Sequence, residues 1–297
     1  MRIYLDHNAT SPLRPVARAA MLAALDRGGN ASSIHAEGRD ARALIETARE
    51  KIARELGVIA PMVVFTSGGS EANNLAIKGA PAERLIVGAT EHPSVIEAAG
   101  ASGKPVKIVP VDSNGVIDLA ELAAMLSSGP RALISVMLAN NETGVINPVA
   151  EVAAAARTHG ALVHCDAVQA FGKVPVNFGL LSVDLLSLSA HKLGGPQGAG
   201  ALVIRDGLVL APLVHGGGQE LRRRAGTENL AAIAGFGSAA AEKAQDTRAL
   251  RDSLESELGD AIIVAKRAAR LPNTSCFAFT GLSAETALMA LDLDGIA

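Results

Sequence analysis

The chain has 297 residues, 49% of them hydrophobic, with 27 basic and 30 acidic side chains and a formal net charge of -3. That length predicts a large unit with a smaller companion rather than one small module. The balanced charge excludes a basic nucleic-acid footprint, the apolar content excludes a disordered chain, and 2% aromatics with no Trp exclude a base-stacking platform. Helices are expected at 15–25 and 41–56, the second stopped by Gly57. Short apolar runs then alternate with Ala-rich stretches: strand 62–66, helix 70–78, strand 84–88, helix 93–100, strand 106–111, helix 119–126, strand 132–138, helix 149–159, and strands 162–166, 185–189 and 201–204. The runs show little polar alternation, as strands buried on both faces do. The order implies an α/β fold with a mostly parallel seven-stranded sheet between helices. After about residue 245 the texture changes to a charged helix at 248–258, a strand near Ile262, another at 276–279 and a helix from Ala284. This reads as the start of a smaller α+β domain. The expected division is a large domain at 11–245 and a small one made of 1–10 and 246–297.

Five loops at predicted strand ends carry the chemistry. Ser189-Ala190-His191-Lys192 precedes a Gly-rich turn. A lysine there is a candidate Schiff-base residue, because an apolar site or a neighbouring cation lowers an amine that otherwise titrates at about 10.4. Asp166 ends its strand with Gln169 three residues on. Placed opposite a pyridine nitrogen it would hold the ring protonated, although an Asp in that place also caps helices. Thr66-Ser67-Gly68-Gly69-Ser70-Glu71 links strand to helix, and its glycines, Ser70 hydroxyl and free helix amides suit a phosphate. It is not a GxxxxGK[ST] nucleotide loop. Glu91-His92-Pro93 offers a histidine that could stack on a ring and exchange protons. Leu138-Ala139-Asn140-Asn141-Glu142 is an amide-rich loop. Further on, His215-Gly216-Gly217-Gly218 leads to Arg222-Arg223-Arg224 and Thr227, a run suited to anion contact across an interface or to plain solvation. Gly235 to Ala240 fits GxGxxA but lies within a helical stretch, so it is not read as a dinucleotide site. The histidines lack metal-ligand spacing. Cys165 and Cys276 form no CxxC and no disulfide framework, and neither looks like an activated nucleophile. The N-terminus is too soon charged for a signal peptide, and no apolar run reaches the roughly 18 residues a bilayer needs. A cytoplasmic location is expected.

Taken with Tyr4-Leu5-Asp6-His7-Asn8-Ala9-Thr10 and Gly29-Asn30-Ala31-Ser32-Ser33-Ile34-His35, these segments closely resemble the cysteine desulfurases of the class V, fold type I transferases that depend on pyridoxal 5'-phosphate (PLP). The matches span nearly the whole chain in family order. The resemblance implies that Lys192 anchors PLP and moves the substrate Cα proton, and that His92 stacks on the ring and assists. Asp166 would pair with the ring nitrogen, and Gln169 with the phenolic oxygen, Asn141 lying beside it. Gly69, Ser70, Ser189 and His191 would hold the phosphate, and Thr227 would reach the phosphate of the other subunit of a homodimer. It further implies L-cysteine as substrate, L-alanine and a protein persulfide as products, and an iron–sulfur scaffold or other sulfur acceptor as partner.

In the family the nucleophilic cysteine follows a segment like Leu291-Asp292-Leu293-Asp294-Gly295-Ile296-Ala297, with which this sequence finishes. The expectation is a small domain cut before that loop, and a chain that binds PLP but does not complete desulfuration alone. Two competitors share these motifs: a related class V enzyme such as a selenocysteine lyase, and a non-catalytic scaffold.

Overall fold

A computed structural model describes residues 2–243 and 245–297. The apolar runs form one seven-stranded sheet: β1 (Val63–Thr66), β2 (Arg84–Gly88), β3 (Val106–Val109), β4 (Ala132–Ser135), β5 (Leu162–Asp166), β6 (Leu185–Ser189) and β7 (Gly200–Ile204), in spatial order β1-β7-β6-β5-β4-β2-β3. Only β7 runs against its neighbours. The other six point one way, so their C-terminal ends open on one edge of the sheet, the place where open α/β sheets receive ligands.

Side chains along each strand alternate between two apolar layers. Phe65, Ile86, Ile134, Val163 and Leu186 meet α1 (Pro15–Arg27), α2 (Ala36–Leu56) and the later helices α5 (Leu119–Leu126), α6 (Val149–Thr158), α7 (Phe178–Leu181) and α8 (Leu230–Ala240). Val64, Leu85, Leu133 and Leu162 meet α3 (Gly69–Gly79) and α4 (Pro93–Gly100) on the other side. Within α8, a Cβ at Gly237 would come 2.6 Å from Ala48 Cα, so the GxGxxA pattern serves close helix packing.

The sequence reading needs three adjustments. Helix α2 starts at Ala36 rather than 41, because His35 Nδ1 accepts from Gly38 N (3.4 Å) and caps it. The run 132–138 leaves the ladder after Ser135 to follow the site loop, and the run 106–111 stops at Val109. The latter strand, β3, is the sheet edge and exposes three of its four residues, unlike the doubly buried strand expected there.

Behind β1, Arg49 and Glu220 form a buried two-pronged ion pair (2.7 and 2.8 Å), and the same carboxylate accepts the Phe65 amide (2.7 Å). Glu220→Ala leaves the Phe65 amide unpaired and Arg49 with only Glu46 (3.1 Å) and Val63 O (2.6 Å), and is expected to cost about 3 kcal/mol in urea unfolding.

Beyond the sheet lie α9 (Arg248–Glu257), the short antiparallel pair β8 (Ile262–Ile263) and β9 (Phe277–Ala278), and α10 (Ala284–Leu293). The first residues meet the last ones: Ile3 N donates to Gly295 O, and Ala297 N to Ile3 O. No helix among the described residues is long and apolar enough to cross a membrane.

Candidate active site

Five of the parallel strands, β1, β2, β4, β5 and β6, deliver loops to one cavity of about 220 Å³. Nine of the sequence-predicted residues line it: Gly69 and Ser70 at the start of α3, His92 at the start of α4, Asn141, then Asp166, Gln169, Ser189, His191 and Lys192. Thr227 does not; it is exposed, outside the cavity of its own chain. Nor is the arginine run free to bind an anion as a whole. Arg224 pairs with Glu71 (2.8 Å), and Arg223 donates to Pro61 O (2.9 Å).

Asp166 ends β5 and is buried. Its Oδ1 accepts Val168 N (2.9 Å) and its Oδ2 accepts Asn73 Nδ2 (2.8 Å). Burial dominates and raises its pKa against the pull of those bonds and of the charges on His92 and Lys192. Its charged form is penalised by desolvation and gains from a cationic partner placed beside it.

Asn73, which the sequence reading did not single out, ties this carboxylate to the histidine. Its second amide hydrogen reaches Ser94 Oγ (2.9 Å), and that hydroxyl lies 2.8 Å from His92 Nδ1. Ser94 N also donates to Nδ1 (3.1 Å), making His92 the N-cap of α4. With Nδ1 occupied as an acceptor, a neutral His92 carries its proton on Nε2. Among the described residues Asn73 Oδ1 is buried without a protein partner, a polar atom left over at the cavity. The local clue to Asn73 is its place one helical turn after Ser70, on the same face.

Lys192 sits in the turn Ala190–Leu193 that follows β6. Its Nζ donates to Asn8 O and to Ala9 O (2.9 Å). Residues 8–14 clasp this turn, with Ser11 N on His191 O (2.8 Å), Ser11 Oγ on Lys192 O (3.0 Å) and Arg14 N on Gly194 O (2.9 Å). Burial lowers the amine's pKa, although Asp6 and Asp166 oppose the shift. His191 is lowered as well, by burial and then by Lys192.

Beneath the floor of the cavity a buried polar line crosses the sheet. Glu91 accepts from Met137 N and from Ser135 Oγ (3.4 Å); Ser135 Oγ lies 2.8 Å from His164 Nδ1, and His164 Nε2 lies 2.9 Å from Ser187 Oγ. Burial, then the Asp166 charge, raises Glu91 to about 8, whereas burial lowers His164 to about 3. At neutral pH Glu91 is largely a neutral acid and His164 a neutral imidazole. Asp166 is thus spared two competing charges below it.

The class-V aminotransferase family profile covers residues 3–297. A protein of Dictyoglomus turgidum called cysteine desulfurase IscS is 42% identical over 99% of this chain and 80% of its own length. An IscS-like cysteine desulfurase of Mycobacterium tuberculosis is 40% identical, over 99% and 81%. Among solved structures, a NifS-like protein from Rickettsia africae superposes with a TM-score of 0.94 at 36% identity, covering 100% of this chain and 87% of that one. A structure described as SspA in complex with cysteine gives 0.83 at 33% identity, covering 91% and 81%.

The family works with PLP, and the cavity suits that group. It has a desolvated carboxylate for a ring cation, a lysine of lowered pKa for an aldehyde, and an unshielded helix start for a phosphate. The start of α3 also leaves room: a Cβ at Gly69 would come 2.9 Å from Val168 Cγ2, so glycine keeps the backbone open there. By profile, fold and site, the chain belongs to the class-V aminotransferases, in the branch that holds the cysteine desulfurases.

Proposed function

We propose that this chain binds PLP and activates L-cysteine for desulfuration, giving L-alanine once an acceptor thiolate takes the sulfur. The observation that carries this reading is the meeting of Lys192, His92 and Asp166 around one cavity, from the ends of three strands 74 or more residues apart in pairs containing His92. When bound, PLP supplies an electron sink for negative charge at the substrate Cα. The chain supplies the rest. Asp166, held by Asn73 and Val168, would pair with the ring nitrogen. Lys192 is the covalent anchor and the base that takes the Cα proton, a task eased by its lowered pKa. His92, with Nδ1 taken by Ser94 N, would stack on the ring and assist proton transfer through Nε2. Gln169 would donate to the phenolic oxygen, and Asn141 would border the substrate. Ser70, Ser189, His191 and the backbone at Gly69 hold the phosphate.

Sulfur transfer requires a thiolate. Burial raises the Cys165 thiol far above its ordinary range and also raises Cys276. Neither lines the cavity, so neither is assigned as the sulfur acceptor. The exposed position of Thr227 supports a homodimer in which it reaches the phosphate held by the other subunit. The persulfide formed on an acceptor thiol other than Cys165 and Cys276 would then pass its outer sulfur to an iron–sulfur scaffold or another acceptor. The pairing of residues 3–5 with 295–297 supports a small domain built from 1–10 and 246–297, beside a large one at 11–245.

The test is Cα proton exchange in D2O, which requires cofactor and base but no acceptor thiol. The PLP-loaded chain is expected to wash deuterium into L-cysteine and to shift its visible absorption band on cysteine addition. Equal exchange into L-serine, or no spectral response to cysteine, defeats the reading. Alanine release with dithiothreitol, compared between cysteine and selenocysteine, separates a desulfurase from a selenocysteine lyase.

A further inference from the structure

Beside the cavity lies a second lysine that the reaction just described does not use. Lys173 Nζ donates to Gln169 Oε1 (2.7 Å) and to Asn8 Oδ1 (2.9 Å), both neutral amide oxygens. Burial, and then the Lys192 ammonium, push its pKa down to about 7. Placing an amine in this position is costly, because it leaves water without gaining a carboxylate. A methionine of similar length would fill the space without that cost. What the lysine adds is hydrogen-bond donors.

The donors act on Gln169. Phe171 N bonds Ala167 O and Val174 N bonds Ala170 O, so the chain winds through a helical turn that sets residues 169 and 173 side by side. The two ends of a carboxamide are nearly equal in shape and opposite in hydrogen bonding. Here the oxygen end faces Lys173, while Nε2 donates to Asn8 O (2.9 Å). A half-turn of the amide would set Nε2 against the Lys173 amine and Oε1 against the Asn8 carbonyl. Both contacts would then be repulsive. Deprotonation of Lys173 near neutral pH weakens the lock without removing it: the neutral amine can accept from a flipped Nε2, but Oε1 would still face the Asn8 carbonyl.

We infer that Lys173 is a positioning residue: it locks the Gln169 carboxamide so that the NH2 end is the one offered to the cavity, as the donor for an anionic ring oxygen. The inference rests on the PLP reading above and goes beyond it in naming what orients Gln169.

The test is a double-mutant cycle read by PLP affinity of the cofactor-free chain, in equilibrium dialysis, and by the pH at which the bound cofactor changes colour. Lys173→Met is expected to weaken PLP about tenfold, the value of one lost hydrogen bond to a charged group, and to raise the colour-change pH. The same substitution should cost nothing further in a Gln169→Leu background. Lys173→Arg, which also carries only donors, should bind PLP within about twofold of the wild type. Equal losses in both backgrounds indicate a merely structural lysine and overturn the inference, as does unchanged binding in a folded Lys173→Met chain. Should Lys173→Met fail to fold by circular dichroism, Lys173→Gln replaces it, because glutamine can accept and so permits the flip. Equal behaviour of the Gln and Arg variants then overturns the inference. A wild-type chain that stays colourless with PLP defeats the parent reading and this one with it, whereas a coloured wild type with additive variants defeats this one alone.

Discussion

Lys192→Ala is expected to abolish Cα exchange and remove the covalent link to the cofactor while leaving the fold intact. The side chain projects from a turn held by its backbone, through Ser11, Arg14 and Ala199, so its removal leaves the clasp in place. Only the two bonds from Nζ to the carbonyls of Asn8 and Ala9 are lost. A positioned general base contributes roughly 10²–10⁴-fold, and this one is also the anchor, so a loss of at least about a thousandfold in deuterium exchange is expected. Borohydride reduction followed by peptide mass spectrometry should find the cofactor adduct on residue 192 in the wild type and none in the variant. Retention of the adduct elsewhere in the chain would relocate the anchor and undo the assignment.

Asp166→Asn is the second large effect. The substitution keeps the shape and can retain the bond from Val168 N, but removes the anion. A charge pair at about 4 Å and an effective dielectric near 20 is worth about 4 kcal/mol, which corresponds to roughly a thousandfold in rate if the ring cation is needed in full. Cofactor affinity should also fall, because the Asn side chain cannot keep a ring nitrogen protonated. Relief at Glu91 accompanies the loss: part of its elevated pKa comes from the Asp166 charge, so its titration should move down in the variant. Exchange rates and a carboxyl titration by isotope-edited infrared spectroscopy read the two consequences separately. An Asp166→Asn chain that exchanges the Cα proton at the wild-type rate would remove the ring-nitrogen role.

The sheet and most of the cavity are legible in the sequence, for a physical reason. Strands buried on both faces must be apolar throughout, so they stand out as continuous runs, and the residues after their C-terminal ends must share one edge. Asp166, Lys192, His92 and Gly69 are each found by that rule. What the sequence conceals is pairing at a distance. Asn73 sits in an ordinary helix, and only the fold brings its amide to Asp166, 93 residues away. The arginine run looks like a free basic patch until Arg224 meets Glu71, 153 residues back. Lys173 resembles a surface lysine in a turn, and its burial depends on Asn8 at the far end of the chain. Edge position is hidden too: the segment at 106–109 is apolar enough for an interior strand, yet topology sets it at the rim.

The two groups at either side of Ser135 give the folded state an unusual response to acid and alkali. His164 resists protonation when folded, so the unfolded chain binds one more proton once the medium falls below about 6.5, and native stability drops from there toward pH 3. Glu91 has the reverse linkage. It holds its proton when folded, so its contribution is complete below about 4.5 and is lost as alkalinity rises through pH 8. Each slope can approach about 1.4 kcal/mol per pH unit, and between about 4.5 and 6.5 the two have opposite signs and nearly cancel. The contributions of these two partners therefore offset each other across the mildly acidic range, and each contributes its own loss outside it.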